Sequence, residues 1–186
     1  MQTPIVLLIV AVAIIGVAVV AWTIMRTKRS EALKHRFGDE YERALRATGS
    51  KTSAEADLLA RTKRVEKFDI HPLSAGDRDR FADRWRHAQA SFVDNPAGAV
   101  AEADALVDEI MRARGYPVAD FERRAADISV DHPRVVQNYR DARAIAVSAQ
   151  RGTARTEDLR RATLFYRELF EDLLETASRT MAEVPR

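Results

Sequence analysis

Ile5 to Met25, IVLLIVAVAIIGVAVVAWTIM, is a run of 21 residues without a charge, and it constrains the chain more than any other stretch. As a helix rising about 1.5 Å per residue, it reaches about 31 Å, the thickness of a bilayer's hydrocarbon core. Trp22, near its C-terminal end, suits an interfacial anchor. The sequence therefore predicts a single transmembrane helix over 5–25, preceded by a short non-cytoplasmic N-terminus, 1–4. Arg26, Lys28 and Arg29 follow at once, then Lys34 and Arg36, with no basic side chain before the helix. Positive charge stays inside, so the expected topology is inner membrane, N-terminus out, with the C-terminal domain in the cytoplasm. The membrane-proximal trio Arg26, Lys28 and Arg29 would also meet anionic headgroups, at about 1 kcal/mol per residue. Export is the alternative, because Val19-Val20-Ala21 offers the small residues that a signal peptidase accepts, with cleavage after Ala21. Against it, MQTP has no basic side chain and the apolar run is longer than a usual signal core.

The charges behind this run are balanced. The 186 residues carry 30 basic and 28 acidic side chains, and none of the acids precedes Glu31. Setting aside Arg26, Lys28 and Arg29 leaves 27 basic against 28 acidic residues over 30–186, a net of −1. The high isoelectric point is thus a local property of the basic cluster, and no nucleic-acid partner is expected, since that needs a basic stripe on the folded domain. The chain has no cysteine, which excludes disulfides, thiolate nucleophiles and cysteine metal sites, and leaves the redox compartment open.

Beyond the apolar run the period is helical throughout. Leu33, Phe37, Tyr41 and Leu45 recur every four residues, with Gly38 a break and Gly49 a stop, which predicts a basic juxtamembrane helix or stalk over 26–49. Thr52 and Glu55 have the spacing of a capping box for a helix running to Phe68. The connector FDIHPLSAGD follows, because His71 stands before Pro72 and is pushed out of the helical region. Ser74 and Asp77 mark the next start, and Phe81, Trp85, Ala88 and Phe92 make one stripe, a packing pattern more than a ligand platform. Asn95-Pro96 opens a helix with Val100, Ala103, Leu106, Val107, Ile110 and Met111 on one face, closed by Gly115. Asp120 to Ile128 reads as a short helix ending at Ser129-Val130. Pro133 opens a helix to Gly152, and a last one follows Thr156 with an apolar stripe from Leu159 to Leu174. No segment alternates with period two. The fold class expected is all-α: the membrane helix, then a soluble antiparallel bundle of about five to six helices over 50–184.

Chemistry is sparse. His35, His71, His87 and His132 never fall at helical metal-ligand spacing, and no phosphate loop or nucleophile elbow occurs, so neither a metal nor a cofactor is expected. Asp131-His132 is the one pair that invites a catalytic reading. A triad carboxylate, however, holds its imidazole from across a fold rather than from the adjacent position. Asp131 reads instead as the N-cap of the helix opened by Pro133, with His132 held extended before the proline. Arg112, Arg114 and Tyr116, at the end of one helix, are candidates to meet Asp127, Asp131 and His132 in a polar interaction cluster.

The stretches RVEKFDIHPLS, Arg64–Ser74, and FVDNPAGAVAEAD, Phe92–Asp104, resemble an uncharacterised bacterial family of small helical proteins, N-terminally membrane-anchored or labelled as secreted. The resemblance covers most of the part after the apolar run and implies no activity, cofactor or catalytic residue. The expected function is a membrane-tethered helical interaction or scaffold domain, not an enzyme, that binds a protein partner or associates with itself. The alternatives are a small enzyme using Asp131 and His132 in a polar cleft, and an exported helical domain released after Ala21.

Overall fold

In a computed structural model, the described residues have backbone placed for 3–117 and 119–182, and side-chain surroundings for 14–117 and 119–175. They form eight helices and no strand: α1 (Thr3–Phe37), α2 (Asp39–Thr48), α3 (Lys51–Val65), α4 (Ala75–Ser91), α5 (Pro96–Ala113), α6 (Phe121–Asp131), α7 (Val136–Gln150) and α8 (Thr156–Ala182). The all-helical expectation holds among the described residues.

The transmembrane expectation is corrected. Among the described residues no helix is long and apolar enough to cross a membrane. The apolar stretch whose side chains are described runs from Ile14 to Met25 and stops at Arg26, about 18 Å of helix against the roughly 30 Å of a hydrocarbon core. The side chains of 5–13, on which the rest of that expectation fell, lie outside the described residues, as do residues 1 and 2 of the expected N-terminal tail and the last two residues of the expected 50–184 domain. The basic trio does not end the helix either. Arg26, Lys28 and Arg29 are exposed on α1, which continues to Phe37, and Arg26 lies over the Trp22 ring and donates to Thr52 Oγ1 at 3.1 Å.

The chain divides into two compact units, Met1–Leu58 and Leu59–Arg186. In the first, Ser30, Leu33 and Phe37 at the end of α1 are buried, as are Glu40, Tyr41 and Ala44 of α2 and Ala54 and Leu58 of α3. Gly38 and Gly49 punctuate it with left-handed backbone at φ +51° and +66°. The capping box expected from Thr52 and Glu55 does not form. Ser50 caps α3, accepting from the Ser53 backbone at 3.4 Å, while Glu55 accepts the Tyr41 hydroxyl at 3.0 Å. Glu55 is thus drawn to a tertiary partner rather than to the helix start.

The second unit has one continuous core in which α5 packs on α4, α7 and α8, and α7 packs on α8. Every apolar position expected on α5 is buried, and so are Phe81, Trp85 and Ala88 of α4 and Leu159, Ala162, Tyr166, Leu169, Phe170 and Leu173 of α8. Trp85 stacks on Phe170 with centroids 4.7 Å apart. Two caps appear where the sequence places them, Ser74 accepting from Asp77 N and Asn95 from Gly98 N, and Asp120 caps α6 in the same way by accepting from Arg123 N, each at 3.0 Å. Each such cap contributes about 1 kcal/mol.

Gly115 decides how two connectors meet. It has φ +91°, and a Cβ there would stand 2.0 Å from the Asp69 carbonyl oxygen. The 66–74 connector therefore lies directly against the turn after α5, and His71 N donates to Arg114 O at 3.0 Å. Gly152, at φ +70°, faces open space. We expect Gly115→Ala to cost more than about 2 kcal/mol, from left-handed strain and the clash together, and Gly152→Ala about 1 kcal/mol from strain alone. Urea denaturation midpoints of the two variants measure the difference.

Candidate functional site

The polar residues at the α5–α6 turn converge with the end of α6 and with α8. Arg114 follows α5 and is buried at 4 % exposure. Its terminal nitrogen donates to the Leu173 carbonyl at 3.1 Å and stands 3.4 Å from His132 Nε2. His132, 2 % exposed, turns its Nδ1 to the carboxylate of Asp172 on α8. A guanidinium only donates, so Nε2 accepts at Arg114 and the ring proton sits on Nδ1, facing the carboxylate. Two residues on, the Tyr116 hydroxyl donates to Asp131 Oδ2 at 2.9 Å.

Of the six residues expected to cluster, Arg114, Tyr116, Asp131 and His132 meet in this way. Asp127 joins from α6 but is held by Arg64, whose Nε and terminal nitrogen donate to Asp127 Oδ1 at 2.8 and 2.6 Å. One turn along α3, Arg61 donates to Ser129 Oγ at 3.4 Å. Arg112 stands apart, exposed and lining a cavity with Tyr116 and Arg124. The stretches around Arg64, His71, Tyr116 and His132, far apart in sequence, are thus drawn into one polar hub in the second unit.

The expected cap at Asp131 is corrected. Ser129 and Val130 are buried inside α6, which continues through Asp131, and His132 N still donates back to Ile128 O at 2.8 Å. His132 is therefore a C-cap, and α7 starts at Val136 behind Val135, with no side-chain cap. An acid in the last turn opposes the helix dipole. The Tyr116 hydroxyl supplies the compensating hydrogen bond.

The Asp131-His132 pair also differs from the catalytic reading. The carboxylate that holds the imidazole does come from across the fold, but it is Asp172, and the nitrogen opposite faces a buried guanidinium instead of a nucleophile. Asp172 gave little signal in the sequence, sitting beside Leu173 within the apolar stripe of α8. Arg64 was equally hidden in a charged stretch that reads as a solvated face.

A second polar network, unanticipated from sequence, runs along the margin of the core. Asp104 and Asp108, one turn apart on α5, are paired with Arg143 and Arg124. The Tyr166 hydroxyl donates to Asp104 Oδ1 at 2.8 Å, and the Tyr139 hydroxyl reaches Asp108 Oδ1 at 3.4 Å. Burial pushes the Tyr139 and Tyr166 hydroxyls well above the ordinary phenol range, and raises Asp104 above the usual carboxylate value. Among the described residues no group of three or more acids and histidines is placed to hold a metal ion. No protein-family model, curated protein or solved structure matches this chain.

Two measurements test the hub. The hydrogen bond from His132 holds the Asp172 carboxyl below its ordinary value, against the opposing effect of burial. A depressed carboxylate contributes stability that is present above the unfolded value of about 3.9 and lost as pH falls through the folded one. We expect about 1 kcal/mol to disappear as pH drops below about 4, the half-exposed position limiting the size, and Asp172→Asn to flatten that limb of the stability–pH curve. Tyr116→Phe leaves Asp131 without its donor and is expected to lower the urea midpoint by the equivalent of about 1 kcal/mol.

Proposed function

We propose that this protein is a helical interaction and scaffold domain that associates with itself, with α1 as its contact helix. The observation that carries this reading is the exposed apolar surface between Ile14 and Met25. Ile14, Val17 and Met25 are 63 %, 70 % and 72 % exposed, and Ile15, Val19, Val20, Trp22 and Ile24 are exposed beside them. Soluble monomers rarely leave a contiguous apolar patch of this kind uncovered, and burying it against like surface is favourable at about 25 cal/mol per Å². Elsewhere, large exposed apolar side chains are scattered, as at Val93 and Leu164, and need no partner. A second copy offers the same apolar surface, so the contact is self-complementary.

Sedimentation velocity of the full chain over a range of concentrations is the direct test. We expect a concentration-dependent oligomer that Val17→Asp combined with Ile24→Asp shifts to monomer, and a photo-crosslinker at Val20 that captures a second copy. A full chain that stays monomeric throughout, with no crosslinked dimer, rules the reading out.

A further inference from the structure

The exposed apolar residues of α1 include a seam. Ile14, Val17, Ala21 and Ile24 recur at spacings of three and four, Lys28 and Glu31 continue the same series, and all six are exposed. This is the a and d pattern of a coiled coil, whose seam positions meet their counterparts on a second helix. Arg26, Ser30, Leu33 and Phe37 follow the same spacing about half a turn round the helix. That side is taken: Ser30, Leu33 and Phe37 are buried, and Arg26 donates to Thr52 at the start of α3. The seam therefore faces away from α2 and α3. Gly16 and Val20 join Val17, Ala21 and Ile24 in lining an apolar groove along it.

Resting on the reading of α1 as a self-contact helix, we propose that two copies pack antiparallel, with Ile14 of one facing Ile24 of the other and Val17 facing Ala21. Charge decides the direction. Residues 26–36 carry five basic side chains and one acidic one, Glu31, while no charged side chain precedes Arg26. Parallel packing would bring the two basic blocks side by side, with Lys28 against Lys28 and Glu31 against Glu31 on the seam. Packed helices stand about 8–10 Å apart, close to the Debye length of about 8 Å at physiological salt, so the blocks would repel. In the antiparallel register the copies cross near position 19, and the two Arg26 backbones, the nearest points of the blocks, stand about 21 Å apart along the axis. Salt screens the blocks at that distance, and the apolar seams still overlap from Ile14 to Ile24.

The chain has no cysteine, so engineered disulfides report the direction. Full-length Ile14→Cys and Ile24→Cys chains, substituted at exposed positions that leave the core untouched, are oxidised with copper–phenanthroline, each alone and after mixing in equal amounts under reduction. The antiparallel register predicts a disulfide-linked dimer in the mixture and none in either variant alone. Equal positions then lie about 15 Å apart along the axis, beyond the roughly 7 Å that a disulfide spans between Cα atoms. Variants that each crosslink alone, with no gain on mixing, show parallel packing and overturn the proposal. A mixture that forms no disulfide overturns the register. Sedimentation velocity of the unsubstituted chain and the reduced variants separates these results from failure of self-association itself. Monomer there removes the contact and the proposal with it, whereas an oligomer that crosslinks in the wrong pairing removes the direction alone.

Discussion

Arg114 is the residue on which the second unit's polar organisation turns. It ends α5, accepts the His71 backbone with its own carbonyl, and sends its side chain to the Leu173 carbonyl and His132. Three segments distant in sequence are thereby tied to one buried cation. A buried guanidinium is costly to desolvate and is retained only where several acceptors surround it. Here the acceptors are a carbonyl and an imidazole whose far side is anchored by Asp172. Removing any one member leaves the others buried without their complement, so the hub acts as a unit rather than as a sum of contacts.

The half-buried network on α5 obeys the same physics in a different setting. Asp104 and Asp108 lie one turn apart on α5, and each is answered by an arginine and a tyrosine from neighbouring helices. Such pairs add little net stability compared with apolar side chains of the same size, yet losing one partner strands a charge. Their geometry admits α6, α7 and α8 in one register against α5. The cavity lined by Arg112 and Arg124 lies at the edge of this network, where Asp108 pairs with Arg124.

How far the sequence could be read depended on the range of the interaction. Ser74 and Asn95 were legible as caps because a cap needs only its own residue and a backbone N–H three positions on. Thr52 and Asp131 carried similar local signals and were overridden, Glu55 by the Tyr41 hydroxyl and Asp131 by a helix that ran on beneath buried Val130. The cluster of Arg114, Tyr116, Asp131 and His132 was partly anticipated, since all four flank turns. Their partners Asp172 and Arg64 were not, because a charged residue on a helix says nothing of which element lies opposite. The apolar run at the N-terminus shows the same limit in another form. Hydropathy and length predicted a membrane span, whereas the described part of α1 offers an apolar stretch that is too short to cross.

By itself, the sequence determined the helical class, most helix starts and stops, and the apolar faces of α4, α5 and α8, because periodicity and capping are properties of neighbouring residues. It also determined the need for glycine at position 115 as a helix stop. Only the tertiary structure decided that this glycine must admit the Asp69 carbonyl, that His132 is held by Asp172 rather than by Asp131, and that Arg112 lines a cavity apart from the hub. These outcomes depend on which surfaces the packed helices bring together. That is settled by the fit of the whole core, where burial, pairing of charges and close backbone approach must be satisfied at once.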